Sequence, residues 1–181
     1  MNLKNSHDGW GIVARGFHWL TAVLVLFMLG LGIYMVRVDD LFRQFELYQL
    51  HKSVGLVVLA LMLLRLAWRL QDQAPPPIGR AWERKTARAV HIFLYAALLI
   101  MPVTGFLLAA ASPLEIPTMF FGVMEIPHPI EPDEDLEQRL ILVHSTLAYV
   151  LGGVVAVHVA AALKHHILDR DATLRRMLRG N

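Results

Sequence analysis

The chain has no cysteine. That removes disulfides, iron-sulfur ligation, thiolate-bound haem and covalently tethered haem at once. Charge is also scarce: Asp, Glu, Lys and Arg make up 18% of the 181 residues, and the stretches 16–36, 89–114 and 140–163 contain none of them. Repeats and low-complexity tracts are missing too. A net charge of +2 leaves no basic excess of the kind that nucleic-acid partners demand.

Apolar residues fill the gap. The chain is 56% hydrophobic with a mean hydropathy of +0.48, too apolar for an ordinary soluble domain. About 20 apolar residues cross a hydrocarbon core, and four segments qualify: 16–36, 50–70, 89–111 and 140–164. The second is weakest, because Lys52 and Arg65 bracket only twelve uncharged residues; it spans if both side chains snorkel or find anionic partners. The expected fold is all-α: one integral-membrane four-helix bundle over residues 1–181, running up and down. The first run is long and lacks a small-residue cleavage pattern, so it is expected to stay attached.

Basic residues set the expected orientation. With the N-terminus inside, thirteen Lys and Arg, from Lys4 and Arg15 to Arg176 and Arg179, lie on the cytoplasmic side and only Arg37, Arg43, Lys52 and Arg139 lie outside. Both termini are therefore expected in the cytoplasm. The outer connection 37–49 mixes charge with aromatic residues and is expected to lie on the membrane surface. The inner one holds Pro75, Pro76 and Pro77 and reads as a stiff polar loop. Pro102 predicts a kink in the third helix. The connection 112–139 carries five prolines and an acidic run, and can cap the bundle outside.

Four histidines, His18, His51, His144 and His158, sit inside or at the lip of these apolar segments. Ionisable groups at that depth are costly and usually functional. His144 and His158 share a segment fourteen residues apart, which puts both on one helix face at a separation of roughly 21 Å. Topology brings His18 level with His158 on the inner side and His51 level with His144 on the outer side. A single membrane histidine is readily explained as a hydrogen-bonding group between helices, but matched pairs at two depths have no such purpose. Neutral imidazole ligates haem iron, so the pattern predicts two stacked, non-covalent bis-histidine b haems. Gly55, one turn from His51, leaves room for a macrocycle or a close helix. With both axial positions filled, the chemistry expected is outer-sphere single-electron transfer. Haem propionates need cationic partners; Lys52 is the candidate at the outer haem, Arg15 or Arg65 at the inner one. His91 has no level-matched partner, His165 and His166 continue a basic tail, and His7 and His128 fall in loops.

The stretches "RGFHWL", "FELYQLHKSVGLVVLALMLLRLAWR", "WERKTARAVHIFLYAALLIMPVTG", "FFGVMEIP", "VHSTLAYV" and "VHVAAALKHHILDRDATLRRM" recur in order along nearly the whole chain. In them it resembles the prokaryotic cytochrome b561 family, diheme membrane cytochromes that include the bacterial superoxide oxidase, and the resemblance implies the cytoplasmic (inner) membrane of a bacterium. The resemblance implies b-haem ligands at His18, His51, His144 and His158, and electron transfer between a donor and quinone, ubiquinone in the superoxide-oxidising type. A quinone headgroup is expected near the inner haem, with His91 and His165 as hydrogen-bond partners. Superoxide or a redox protein is the expected donor; ten acidic residues against four basic ones outside would repel an anionic donor unless Arg37, Arg43 and Lys52 form a local positive entrance. Two alternatives stand beside this: a haem-bearing anchor subunit relaying electrons for a separate dehydrogenase or soluble cytochrome, and a haem-free helical scaffold or transporter.

Overall fold

The structure is a computed structural model and describes residues 2–180. Four long helices dominate it: α1 (Ile12–Met35), α2 (Leu41–Gln71), α3 (Ala81–Ala111) and α4 (Glu134–Ile167). All four are long and apolar enough to cross a membrane. A two-stranded hairpin, β1 (Thr118–Phe120) and β2 (Met124–Ile126), lies between α3 and α4, and a short helix α5 (Thr173–Arg179) follows. Each of the first three long helices packs on the next, so the bundle runs up and down.

The helices outrun the apolar windows. α2 starts at Leu41 and α3 at Ala81, so most of the 37–49 stretch expected on the membrane surface is the first turns of α2. The reason is local capping: Asp40 accepts from the Arg43 N–H at 2.7 Å, and Glu83 accepts from the Arg80 N–H at 2.8 Å. Asp133 caps α4 through the Leu136 N–H at 2.9 Å, with Glu134, Asp135 and Glu137 in the first turn, where the helix dipole favours negative charge. α1 has no side-chain cap; carbonyls of the preceding segment serve instead, Asn2 accepting from Ile12 at 3.0 Å. At 31 to 34 residues, α2 to α4 are about 46–51 Å long, well beyond the roughly 30 Å hydrocarbon slab.

The hairpin is an addition to the all-helical expectation. Its strands pair antiparallel, Thr118 opposite Ile126 and Phe120 opposite Met124, and the turn needs positive φ at Phe121 (48°) and Gly122 (72°). It docks on the start of α2: Gln49 accepts from the Met119 N–H at 3.1 Å, and Ser53 Oγ accepts from the Phe121 N–H at 2.9 Å.

The core lies at mid-height and is built from Val25, Val54, Val58, Met62, Ala97, Leu98 and Leu151. Outward positions such as Val23, Leu26, Leu64, Ile92, Leu142 and Val157 are exposed and apolar, as lipid contact requires. Gly55 faces α1, where a Cβ would meet Met28 at an ordinary 3.7 Å.

Candidate functional site

Helix rise sets the depth of each histidine, and the packing order brings the rings together. His18 of α1 meets His158 of α4 with ring centroids 6.3 Å apart. His51 of α2 meets His144 of α4 at the same 6.3 Å. Leu151, 2% exposed, stands seven residues from each α4 histidine and separates the two levels. The His18 pair lies toward the chain termini, the His51 pair toward the β-hairpin.

The hairpin-side pair has a prepared seat. Thr104 Oγ1 donates to the Met101 carbonyl at 2.8 Å and lies 3.0 Å from His144 Nδ1. Its one proton being spent, the hydroxyl accepts from Nδ1–H, which leaves Nε2 of His144 as the basic nitrogen. A Cβ at Gly105 would stand 2.9 Å from His144 Cε1, and one at Gly32 would stand 3.4 Å from His51 Cε1. The His144 ring therefore occupies volume that only glycine leaves free, while a Cβ at Gly32 would meet the His51 ring at ordinary contact distance. Nδ1 of His51 is buried without a hydrogen-bond partner among the described residues.

The termini-side pair is more polar. Arg65 Nη2 donates to His18 Nδ1 at 3.2 Å, and the guanidinium lies 5.1 Å from the Tyr95 ring centre. His91 joins this level, its ring 5.5 Å from that of His158. His165 has other partners, with Nδ1 3.0 Å from Asp169 and 2.8 Å from Asp171. Lys164 bridges Glu83 at 3.0 Å and Asp169 at 2.6 Å, tying the end of α4 to the start of α3.

Of the other cations expected near the site, Lys52 donates to the Pro117 carbonyl at 3.2 Å, and Arg15 donates to the Leu178 carbonyl at 2.9 Å. His128, expected only as a loop residue, is hydrogen-bonded to Thr118 Oγ1 at 3.0 Å and packs edge-on against Phe106, next to Gly105. Burial, with Lys52 nearby, holds its pKa below the ordinary histidine value against the opposing pull of Glu125. Thr104, Gly105 and Gly32 were not visible as site residues in the sequence. "MPVTG" is the one stretch that carried a signal, because Pro102 stands inside α3, which nevertheless runs unbroken from Ala81 to Ala111.

The ring geometry fits a metal between each pair. A metal–nitrogen bond of about 2.0 Å plus about 1.2 Å from ring nitrogen to centroid, taken on both sides, spans roughly 6.4 Å, against 6.3 Å observed in both pairs.

A membrane bundle carrying two levels of facing histidines defines a class, the transmembrane b-type cytochromes. Residues 9–180 match the family model described as prokaryotic cytochrome b561, and the chain belongs to that family. It is 31% identical over 183 aligned positions to "Cytochrome b561 homolog 2" of Escherichia coli K12, covering 98% of this chain and 95% of the relative. "Cytochrome b561 homolog 1" of the same organism is 32% identical over 130 positions, 71% of this chain and 72% of the relative. "Probable superoxide oxidase CybB" of Yersinia pestis is 26% identical over 174 positions, 95% and 97% of the two chains. The protein is accordingly a multi-pass haem protein of the inner membrane, of an electron-transfer family.

Proposed function

We propose that His18 with His158 and His51 with His144 supply the axial ligands of two b haems, and that the protein passes single electrons between a donor and a membrane quinone. The observation that carries this reading is the shared 6.3 Å ring separation of two pairs at two depths. Held by these histidines, haem would supply a one-electron carrier, suited to electron transfer and not to binding substrate at the metal. Thr104 holds the Nδ1 proton of His144, Gly105 leaves room for its ring, and Met62 and Leu151 keep water from the layer between. The positive-inside rule supports both termini in the cytoplasm, which puts His91 at the inner level as hydrogen-bond partner for a quinone headgroup. His165 serves from the end of α4, with Arg15 or Arg65 inside and Lys52 outside as the cations for the propionates.

The test is a haem stoichiometry with a reduced-minus-oxidised spectrum on detergent-purified protein. Two low-spin b haems per chain are expected, with one lost in His144→Ala and the other in His18→Ala. A single haem, or loss of both from either variant, overturns the pairing. Quinone reduction that survives His91→Leu together with His165→Leu overturns the placement of the headgroup.

The identity of the donor has a second reading. Glu115, Glu125, Glu131, Asp133, Glu134 and Asp135 are exposed at the hairpin end, a field that repels superoxide and attracts a basic redox protein. On that reading the chain relays electrons from a soluble partner. Reduction by a basic cytochrome that slows steeply with salt supports it; fast reduction by superoxide with ubiquinone as acceptor supports an activity like that named for the Yersinia relative.

A further inference from the structure

The N-terminal segment and α5 enclose a cavity that the histidine pairs do not use. Residues 2–11 fold back over the start of α1 so closely that a Cβ at Gly11 would overlap the Leu3 carbonyl. From the other side, α5 is held by Arg15, which donates to the Leu178 carbonyl at 2.9 Å, and by Trp19, which donates to the Met177 carbonyl at 3.1 Å. Gly180, at φ 78°, ends α5 so near that a Cβ there would lie 3.3 Å from the Arg15 guanidinium carbon. Between them is a cavity of about 200 Å³ lined by Lys4, Trp10, Arg15, Arg179 and Gly180 among others, with no Asp or Glu among the described residues of its lining.

Three cations around one cavity repel one another, and Nε of Arg15 is buried with no hydrogen-bond partner among the described residues. Both features are relieved by an anion with several acceptor oxygens. The cavity also sits where α1 leaves the apolar slab, and its neighbours Leu3, Ile12 and Leu178 are exposed at 64%, 37% and 52%. A basic cup, with exposed apolar side chains close in the chain to its lining residues, matches a molecule with a charged head and acyl chains.

We propose that this cavity binds a phosphate-bearing anion, the headgroup of an anionic phospholipid in the surrounding leaflet. The site contains none of the four paired histidines, and Arg15 is the one residue it shares with the candidates for the inner propionates. It ties the N-terminal segment, α1 and α5 to the membrane surface at the end where His18 and His158 lie.

The test uses the haem-loaded full chain in nanodiscs of phosphatidylcholine alone, or of phosphatidylcholine and phosphatidylglycerol in equal parts. Bound lipid is counted by native mass spectrometry, and thermal unfolding is followed by tryptophan fluorescence. Phosphatidylglycerol is expected to remain bound and to raise the melting temperature. Lys4→Gln with Arg179→Gln is expected to weaken it by about tenfold, while the charge-keeping pair Lys4→Arg with Arg179→Lys retains it. Millimolar inorganic phosphate that displaces the lipid and stabilises equally assigns the same chemistry to free phosphate. Equal retention of both lipids, or retention of phosphatidylglycerol by the Gln pair, overturns the proposal. So does loss of a haem from the Gln pair with lipid binding unchanged, which gives the cavity to the haem carboxylates.

Discussion

Oγ1 of Thr104 lies 3.0 Å from Nδ1 of His144 while donating its own proton to the Met101 carbonyl. The hydroxyl thus fixes the tautomer of the imidazole and leaves Nε2 basic, in a ring whose centre lies 6.3 Å from that of His51. Partners of this kind orient a ligating histidine and raise its basicity, and losing one costs 10- to 100-fold in metal affinity. Thr104→Val keeps the shape and removes the acceptor. The expected result is about tenfold weaker retention of the hairpin-side haem, and a rise in its midpoint potential with the other haem unmoved. A redox titration resolves the two; a variant in which neither potential moves removes Thr104 from the site.

Gly105 makes a second, steric contribution on the same side. A Cβ at this position would lie 2.9 Å from His144 Cε1, closer than carbon atoms approach without displacement. Gly105→Ala is expected to push the ring off its partner, lower the haem content toward one per chain, and cost about 1–3 kcal/mol of stability. Gly152→Ala is the control: nothing lies within 4 Å of its Cβ position, so it should keep both haems and gain up to about 1 kcal/mol of helix propensity. Equal haem content in the two variants would remove the steric argument.

Arg65 bears on the other level. An arginine only donates, so its 3.2 Å contact makes His18 Nδ1 the acceptor and leaves the ring proton on Nε2. Iron ligation through Nε2 requires Arg65 to leave that nitrogen, which frees its guanidinium for a propionate. A fixed cation beside a haem disfavours the oxidised, more positive state, so Arg65→Gln should lower the termini-side midpoint potential by on the order of 50 mV, the scale of one charge at ~10 Å in a medium of effective dielectric near 20. Stepwise potentiometry should also find the hairpin-side haem unshifted; a shift of both, or of neither, argues against the assignment.

What the sequence could reveal divides along physical lines. The depths of His18, His51, His144 and His158 were legible because charge-free runs locate the helix ends and helical rise does the rest, so their rings meet pairwise as the topology demands. The polar first turns of α2 were not, since hydropathy marks the hydrocarbon slab and Asp40 starts the helix nine residues before the apolar window. The seat made by Gly32, Thr104 and Gly105 was hidden for another reason. A membrane helix is apolar on both its lipid and its core faces, so the pattern does not say how α1 and α3 are rotated, and contacts between helices depend on that rotation.

The hairpin should respond to pH through His128. Burial holds its pKa below the ordinary value of 6.5, helped by Lys52 and opposed by Glu125. The unfolded chain therefore binds more protons than the folded one below about pH 6.5, so this contribution is complete above that pH and is lost as the pH falls through it. The Thr118–His128 contact and the docking of β1 on α2 should loosen between pH 7 and 5. Amide exchange of residues 118–128, corrected for intrinsic rates, is expected to accelerate in that window, and His128→Gln should remove the pH dependence while leaving exchange elsewhere unchanged.

The missing cysteines make the orientation directly measurable, because any introduced thiol is the only one in the chain. Val123, 85% exposed at the hairpin turn, and Arg175, exposed on α5, lie at opposite ends of the bundle. With the basic end held in the cytoplasm, a membrane-impermeant maleimide added to intact spheroplasts should label Val123→Cys and leave Arg175→Cys untouched until the membrane is opened. The reverse pattern would invert the topology. It would also move the acidic face and the His51 pair to the cytoplasm, carry His91 and the proposed quinone position to the opposite surface, and make a cytoplasmic donor the partner to seek.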